Sequence, residues 1–567
     1  MPPKRKTIAA DNKAAPAKKA KVQGAKSNSN NVSDDDEPKT TKIIIKGRVP
    51  VDPQCTGKVN VAHVLQEGDN VYNFMLNQTN LQHNNNKYYM GQVLEDDNGG
   101  NFSVWFRWGR VGKTAQTSLQ SYFSKQQAIQ EFVKKFRAKT GNDWGLRANF
   151  TKRPGLYDLI EQDFGDPAED EEEVGDDSKN VKKEAPKSLL PPQVLALIEL
   201  ISDINAMEHQ MREMNYDARR APLGKLTPAQ IKAGYEALKE ISDCVEALKK
   251  LEEDEQDASK AGKGKVGKRK RTASTLDDKK ALSDKLLQAC NAYYTRIPHD
   301  FGMRVPPLIS TPDDVKTELD LLKALEDIEA AFSIIKTKGK TADMHPADKN
   351  YSNLKCDIKP LPHGHKMEKI IKDYVRMTHA PTHNNYDLEV LQTFELAKDG
   401  EAESFQDYGT RRLLWHGSRM TNWMGILGRG LKIAPPEAPS TGYMFGKGVY
   451  FADCASKSAN YTYASISNNV GLMALCEVSL GEINPLLNSD FNANKLPKGK
   501  HSVQGVGSNV PNKSTWVTLD DGVVVPCGEM VESGVKNASL YYNEFIVYDV
   551  RQIRLRYLVQ MKFNYKF

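Results

Sequence analysis

Three stretches of this chain carry too little apolar surface to offset the entropy of ordering them, and they decide how everything else is divided. Residues 1–55 are dominated by Lys, Ala, Pro, Ser and Asn and read as a disordered basic tail. Residues 165–187 hold Glu169-Asp170-Glu171-Glu172-Glu173 followed by Gly, Asp, Lys and Pro, an acidic linker by composition. Residues 252–275 are charged and glycine-bearing around Lys268-Arg269-Lys270-Arg271, and read as an exposed basic loop. What remains is three foldable segments, 56–164, 188–340 and 341–567. The same division reconciles a 39% hydrophobic content with a mean hydropathy of -0.60.

No run of about 18 apolar residues occurs, so no membrane span is expected. The basic N-terminus is not followed by an apolar stretch, so it is not expected to be a secretory signal. The seven cysteines are scattered without a Cys-x-x-Cys pair, which excludes a finger-type zinc site and fits reduced thiols inside a cell. His379 and His383 stand at zinc-helix spacing, but Pro381 lies between them and Ala380 follows His379, so no metal is expected. The net charge of +6 is modest, and its placement says more than its sum. Pro3-Lys4-Arg5-Lys6 and Ala17-Lys18-Lys19-Ala20-Lys21 are the type of cluster used in nuclear import and non-specific DNA contact.

The first foldable segment is rich in aromatic and β-branched residues. Asn101 to Gly112 reads as a strand running into a turn, and Lys125 to Lys139 as a helix with Ala128, Phe132, Val133 and Phe136 on one face. Arg107, Arg110 and Lys113, interleaved with Trp105 and Trp108 and joined by Lys87, Tyr88 and Tyr89, suit phosphate contact plus stacking. A sheet core with solvated basic residues accounts for the same pattern. The second segment is helical. Val194, Leu197, Ile198, Ile201 and Ile204 recur at helical spacing, and Thr227-Pro228-Ala229-Gln230 is a helix start in which Thr227 caps and Gln230 reaches back. After a second such start at Thr311-Pro312, Val315, Leu319, Leu322, Leu325, Ile328, Phe332 and Ile335 form one stripe, which calls for a bundle. His299 reads as a structural turn residue. The third segment turns to strands. From Ile553 to Phe563, Ile553, Leu555, Tyr557, Val559, Met561 and Phe563 fall on one side at period two. The expected fold class is therefore multidomain α+β: a small α/β module, an all-α bundle and a mixed α+β domain.

Three polar residues of the last segment stand in distinctive settings: His416 in Leu413-Leu414-Trp415-His416-Gly417-Ser418-Arg419, Tyr450 in Gly446-Lys447-Gly448-Val449-Tyr450-Phe451-Ala452-Asp453, and Glu544 in Tyr542-Asn543-Glu544-Phe545. In this order they resemble the His-Tyr-Glu triad of the poly(ADP-ribose) polymerases. Ala434-Pro435-Pro436-Glu437-Ala438-Pro439 with Thr441 to Gly448 is similar to that family's donor-site loop, and Pro222-Leu223-Gly224-Lys225-Leu226 to its helical regulatory domain. Trp108-Gly109-Arg110 and Gly141 to Trp144 resemble the WGR domain.

The resemblance implies transfer of ADP-ribose from NAD, with release of nicotinamide. It implies that His416 bonds the adenosine ribose, with Ser418 and Asn422 alongside. Gly417 and Ser458 would grip the nicotinamide carboxamide, between Tyr461 and Tyr450. Gly425, Lys432, Tyr443 and Ala452 are assigned to the same NAD site. Glu544 would orient the acceptor hydroxyl near Met444, Lys457 and Tyr542. It also implies that Arg107, Trp108, Arg110, Lys113 and Tyr88 meet DNA strand breaks with 5′-phosphorylated ends, that the bundle is an autoinhibitory lid, and that the enzyme works in the nucleus on itself, histones and other chromatin proteins. Tyr541 stands where a relative has leucine. The chain ends at Lys566-Phe567, where relatives carry a Leu-Trp tail that helps recruit an accessory factor for serine modification. Taken residue by residue, mono-ADP-ribosyl transfer and a non-catalytic break-binding adaptor stay open.

Overall fold

The structure is a computed structural model that describes residues 49–110, 114–162, 186–218, 223, 226–261, 273–336 and 344–566. The basic clusters before residue 22, Lys113, the run Glu169–Glu173, Pro222, Gly224, Lys225 and Lys268–Arg271 lie outside the described residues.

The first module is an antiparallel sheet in the order Gln116–Tyr122, Phe102–Arg110, Asn85–Asp96, Asn73–Asn80 and Asp158–Ile160, with Ala62–Val64 also paired to Asn85–Asp96. Helix α1 (Lys125–Thr140) lies across it. Its Ala128, Phe132 and Phe136 are buried as expected, and Phe132 packs on Phe74 with ring centroids 4.8 Å apart.

The bundle comprises α2 (Pro192–Ile201), α3 (Ile204–Glu213), α4 (Pro228–Ala261), α5 (Ala273–Arg296) and α6 (Pro312–Lys336). The loop expected over 252–275 is narrower than its composition suggested, because α4 runs on to Ala261 and α5 starts at Ala273. Charged residues favour a solvated helix as readily as a loop, so composition alone does not place the end of α4. The Thr227 hydroxyl caps Gln230 N–H at 3.1 Å. The Gln230 side chain does not reach back. It donates to the Arg296 carbonyl at 2.7 Å, tying α4 to the end of α5. Thr311 and Asp314 form the full reciprocal cap of α6, with Asp314 N–H on Thr311 Oγ1 at 3.1 Å and Thr311 N–H on Asp314 Oδ2 at 2.9 Å.

The stripe on α6 is buried from Val315 to Phe332, and a second face is buried too: Leu321, Ala324, Ala330, Ala331 and Ile334. One face meets α4. The other meets α10 of the last domain. Small alanines let the helices approach closely.

Beyond the bundle follow α7 (Pro346–Leu354), α8 (Lys366–Met377), α9 (Glu401–Ser404), α10 (Trp423–Arg429) and α11 (Ala455–Ala459). They flank a seven-stranded sheet in the order Val517–Thr518, Val524–Val525, Arg411–Ser418, Val470–Ser479, Ile553–Tyr565, Tyr386–Lys398, Cys356–Pro360. The six period-two residues from Ile553 to Phe563 are all buried. A four-stranded sheet sets Val449–Phe451 beside Glu544–Val547, then Ser502–Gly505 and Ile483–Leu486. Among the described residues no helix is long and apolar enough to cross a membrane.

The central sheet hides one charge no local pattern foretells. Glu477 is fully buried on Val470–Ser479 and is met by Arg411 at 2.9 Å, Arg556 at 2.7 Å and Arg554 at 3.4 Å from the two flanking strands. Arg556 also pairs with Asp521 at 2.8 Å. Removing the glutamate leaves three guanidinium groups facing one another. They keep some contact with solvent, so the cost falls below that of a fully buried pair. Glu477→Ala is expected to lose about 2–3 kcal/mol of stability, read as a lower melting temperature that Glu477→Gln only partly restores.

Candidate active site

The triad positions meet because three strand ends converge. Arg411–Ser418 carries His416-Gly417-Ser418 at its end. Trp415 and Ala452 exchange both backbone hydrogen bonds, at 2.9 and 3.0 Å, which brings in the strand of Tyr450. That strand pairs with Glu544–Val547, Phe451 opposite Phe545. Around these ends lies a cavity of about 390 Å³, within the range of small-molecule sites.

His416 Nδ1 lies 2.9 Å from the Tyr450 carbonyl. A carbonyl only accepts, so Nδ1 carries the proton, and burial lowers the pKa and keeps the ring neutral. Nε2 is then an acceptor suited to a sugar hydroxyl. The Tyr450 hydroxyl donates to the Gly446 carbonyl at 2.7 Å and accepts from Phe445 N–H at 3.0 Å. That locks its ring, and burial raises its pKa. Gly417 lies against α11, where a Cβ would stand 1.9 Å from the Ser458 carbonyl oxygen. Only glycine lets the backbone run that close. Ser458 is buried behind it and donates to the Trp415 carbonyl at 3.1 Å. Lys457 Nζ sits 2.9 Å from Glu544 Oε1 and donates to the Tyr542 carbonyl at 2.8 Å.

Of the expected NAD and acceptor residues, His416, Gly417, Ser418, Asn422, Lys432, Tyr443, Met444, Tyr450, Ala452, Lys457, Tyr461 and Glu544 line this one cavity. Gly425 does not. It faces α6, where a Cβ would stand 2.8 Å from the Asp327 carbonyl oxygen, so it serves helix contact. Tyr542 lies behind the cavity with its hydroxyl 2.7 Å from Thr382. His379 and His383 hold a turn, His379 Nε2 to the His383 carbonyl at 2.8 Å, and do not face a shared metal position.

Sequence reasoning missed the other wall. Lys316, Asp320, Lys323, Glu326 and Asp327 of α6 project into the cavity. Lys323 Nζ lies 4.3 Å from the centre of the Tyr443 ring, Lys432 pairs with Glu326 at 3.5 Å, and the Tyr463 hydroxyl reaches Asp320 at 3.5 Å.

The expected DNA contacts are distributed differently. Arg107 Nε is held by Asp52 Oδ2, and its guanidinium donates to the Tyr88 hydroxyl at 2.9 Å. Tyr88 is itself buried. Arg110 is turned toward the bundle, bonding the Asn84 side chain at 2.6 Å and the Arg304 carbonyl at 3.2 Å. Trp108 stacks on Tyr89 with centroids 5.5 Å apart. Lys113 lies outside the described residues.

A neutral histidine, a locked tyrosine and a lysine-paired glutamate around a glycine cradle fit the ADP-ribosyltransferase site that the sequence resemblance implies. The comparisons agree. Residues 367–563 match the poly(ADP-ribose) polymerase catalytic domain, 188–351 the poly(ADP-ribose) polymerase regulatory domain, and 72–151 the WGR domain. The chain is 48% identical over 528 residues to poly(ADP-ribose) polymerase 2 of Homo sapiens, covering 92% of this chain and 85% of that one. It is 43% identical to poly(ADP-ribose) polymerase 2 of Zea mays, over 92% and 75% of the two chains. To poly(ADP-ribose) polymerase 1 of Gallus gallus it is 40% identical, over 93% of this chain and 48% of that protein. The chain belongs to the poly(ADP-ribose) polymerase family.

Gly417→Ala is expected to cut kcat/KM for nicotinamide release by roughly 100-fold, the usual effect of displacing a bound substrate by about 1 Å. Asp327 gives a pH test. Burial, with Glu326 beside it, pushes its pKa up to about 7, against Lys432, Lys323 and Arg429. A carboxyl whose pKa is raised in the closed arrangement favours that arrangement when protonated, and the benefit fades as pH rises toward 7. Basal nicotinamide release should therefore rise more steeply between about pH 6 and 7.5 than it does in Asp327→Asn, which lacks this titration.

Proposed function

We propose that this enzyme is switched on by DNA strand breaks and builds poly(ADP-ribose) on itself and on histones and other chromatin proteins, in the nucleus, as part of damage signalling and repair. One observation carries the switch. The helix whose charges fill the NAD cavity is also the helix tied to the WGR module. Asn86 of that module donates to the His299 carbonyl at 3.0 Å, and His299 Nε2 meets Glu318 of α6 at 3.0 Å. From Glu318 the same helix runs on to Asp320, Lys323 and Asp327 at the cavity. The reading is a population shift: a DNA end engages the WGR module and favours arrangements in which α6 has left the cleft. The family resemblance implies a 5′-phosphorylated break as the lesion.

With the cleft open, the nicotinamide carboxamide lies on the Gly417 backbone. The Ser458 hydroxyl, already donating to Trp415, accepts from the amide. Tyr461 and Tyr450 flank the ring, and His416 Nε2 accepts from the adenosine ribose. As the nicotinamide–ribose bond breaks, nicotinamide leaves with the bonding pair and positive charge grows on the sugar. Glu544 accepts from the ribose hydroxyl and orients the acceptor hydroxyl, whose oxygen forms the new bond to C1′ and whose proton is released. A terminal ADP-ribose as acceptor gives polymer; a glutamate at this position favours that over single addition.

The test is nicotinamide release and product length from pure protein, with and without a 5′-phosphorylated nicked duplex. Stimulation of about 10-fold or more is expected, the size of an ordinary coupling energy. Glu544→Gln should give single or short additions. Equal turnover without DNA removes the switch and leaves the chemistry standing.

A further inference from the structure

Residues 542–544 carry the reacting carboxylate at the start of a strand, a place where backbone position is easily lost. They are held from three sides. Lys457 grips the Tyr542 carbonyl and the Glu544 carboxylate. Gly507 lies so close that a Cβ on it would stand 2.5 Å from the Tyr542 carbonyl carbon. Between them Asn543 turns inward, 3% exposed. Its Nδ2 donates to Asp453 Oδ2 at 2.8 Å, and its Oδ1 accepts from Gly507 N–H at 2.9 Å and Gln504 Nε2 at 3.0 Å. Asp453 is equally buried, and lies two residues past the end of the strand Val449–Phe451, which pairs with the Glu544 strand. Its Oδ1 has no hydrogen-bond partner among the described residues. A buried carboxylate with a spare oxygen is costly, and a hydrophobic residue would fill the space at less expense. Its retention in the fold goes with what it holds.

We propose that Asp453 and Asn543 are positioning residues for the reaction: their hydrogen bond is the cross-link that fixes the Glu544 strand end against the Tyr450 strand, and so sets the distance of the carboxylate from the reacting sugar. The proposal rests on the reading of Glu544 given above. Neither side chain lines the cavity. Their loss acts on kcat and on polymer length rather than on NAD affinity.

The donor pattern supplies a stringent test. Asn543→Asp sets two buried carboxylates against each other. Adding Asp453→Asn restores every contact with roles exchanged: the amide introduced at 453 donates to the carboxylate at 543, which still accepts from Gly507 and Gln504. With the full chain and nicked DNA, Asn543→Asp is expected to lower kcat for polymer formation by ~30-fold or more, with KM for NAD and the inhibition constant of nicotinamide within about 3-fold, as for displacement of a reacting group. The double exchange should recover kcat to within about 5-fold of the native enzyme, since it restores the geometry. Should Asn543→Asp not fold, Asn543→Ser gives the same comparison, with kcat falling and KM unchanged. Native kcat in either single variant, or a double exchange that regains the native melting temperature but not kcat, overturns the proposal. Glu544→Gln run alongside separates the two readings: if it still makes long polymer, the role of Glu544 fails, whereas short products from it beside native kcat in the Asn543 variants defeat only the cross-link.

Discussion

Helix α6 is buried on two faces at once, and most of what is distinctive about this molecule follows from that double commitment. Val315, Leu319, Leu322, Leu325 and Ile328 form its apolar stripe, while Ala330 and the Asp327 carbonyl lie against Gly425 of α10. Each large aliphatic side chain returned to water costs roughly 1.5–3 kcal/mol. In the proposed switch, moving α6 bodily from the cleft exposes several of them, so opening calls for an outside contribution. Turning a population from about 1:99 to 99:1 takes about 5.5 kcal/mol of differential binding. A DNA end can supply that much only if its own contacts favour the open form. A module joined to α6 through Asn86, His299 and Glu318 is placed to transmit such a preference.

The cleft divides into a gripping end and a reacting end with different engineering. At the gripping end the backbone does the work. Gly417 is pressed on Ser458, and His416 is fixed in one tautomer by the Tyr450 carbonyl, so donors and acceptors stand ready before substrate arrives. At the reacting end, side chains hold one another: Lys457 with Glu544, and Asp453 with Asn543. This division separates affinity from turnover, and a substitution at one end leaves the other readable.

How much of this was legible in the sequence depended on the range of the interaction. Period-two burial from Ile553 to Phe563 and the aromatic face of α1 are local patterns, and both read correctly. So did the stripe on α6, since Val315 to Phe332 repeat at helical spacing. The second face of α6 did not, because alanine is at home on a solvated helix as well as in a tight interface. Arg107 suited phosphate by type, yet it is spent on Asp52, far away in sequence, and Arg110 on the bundle loop. The end of α4 escaped because charge patterns do not distinguish solvated helix from loop. The twelve expected residues that line the cavity came from resemblance to a family, while Asp453 and Asn543 lay inside the strings that carry it and drew no notice until the hydrogen bond between them was seen.

Carboxylates make the general point, since the same group does four jobs here according to its surroundings. Glu477, fully enclosed, is neutralised by three arginines and knits three strands. Glu318 meets a buried histidine of its own domain and steadies the turn that Asn86 of the WGR module reaches. Asp327, crowded by Glu326 and stripped of water, is driven toward neutrality near pH 7 at the cavity wall. Glu544, at the end of its strand, combines a lysine partner with an open side toward the cavity. One oxygen is steadied and the other is left to meet substrate. That combination of restraint and access is what chemistry needs from a carboxylate, and residue identity by itself distinguishes none of the four.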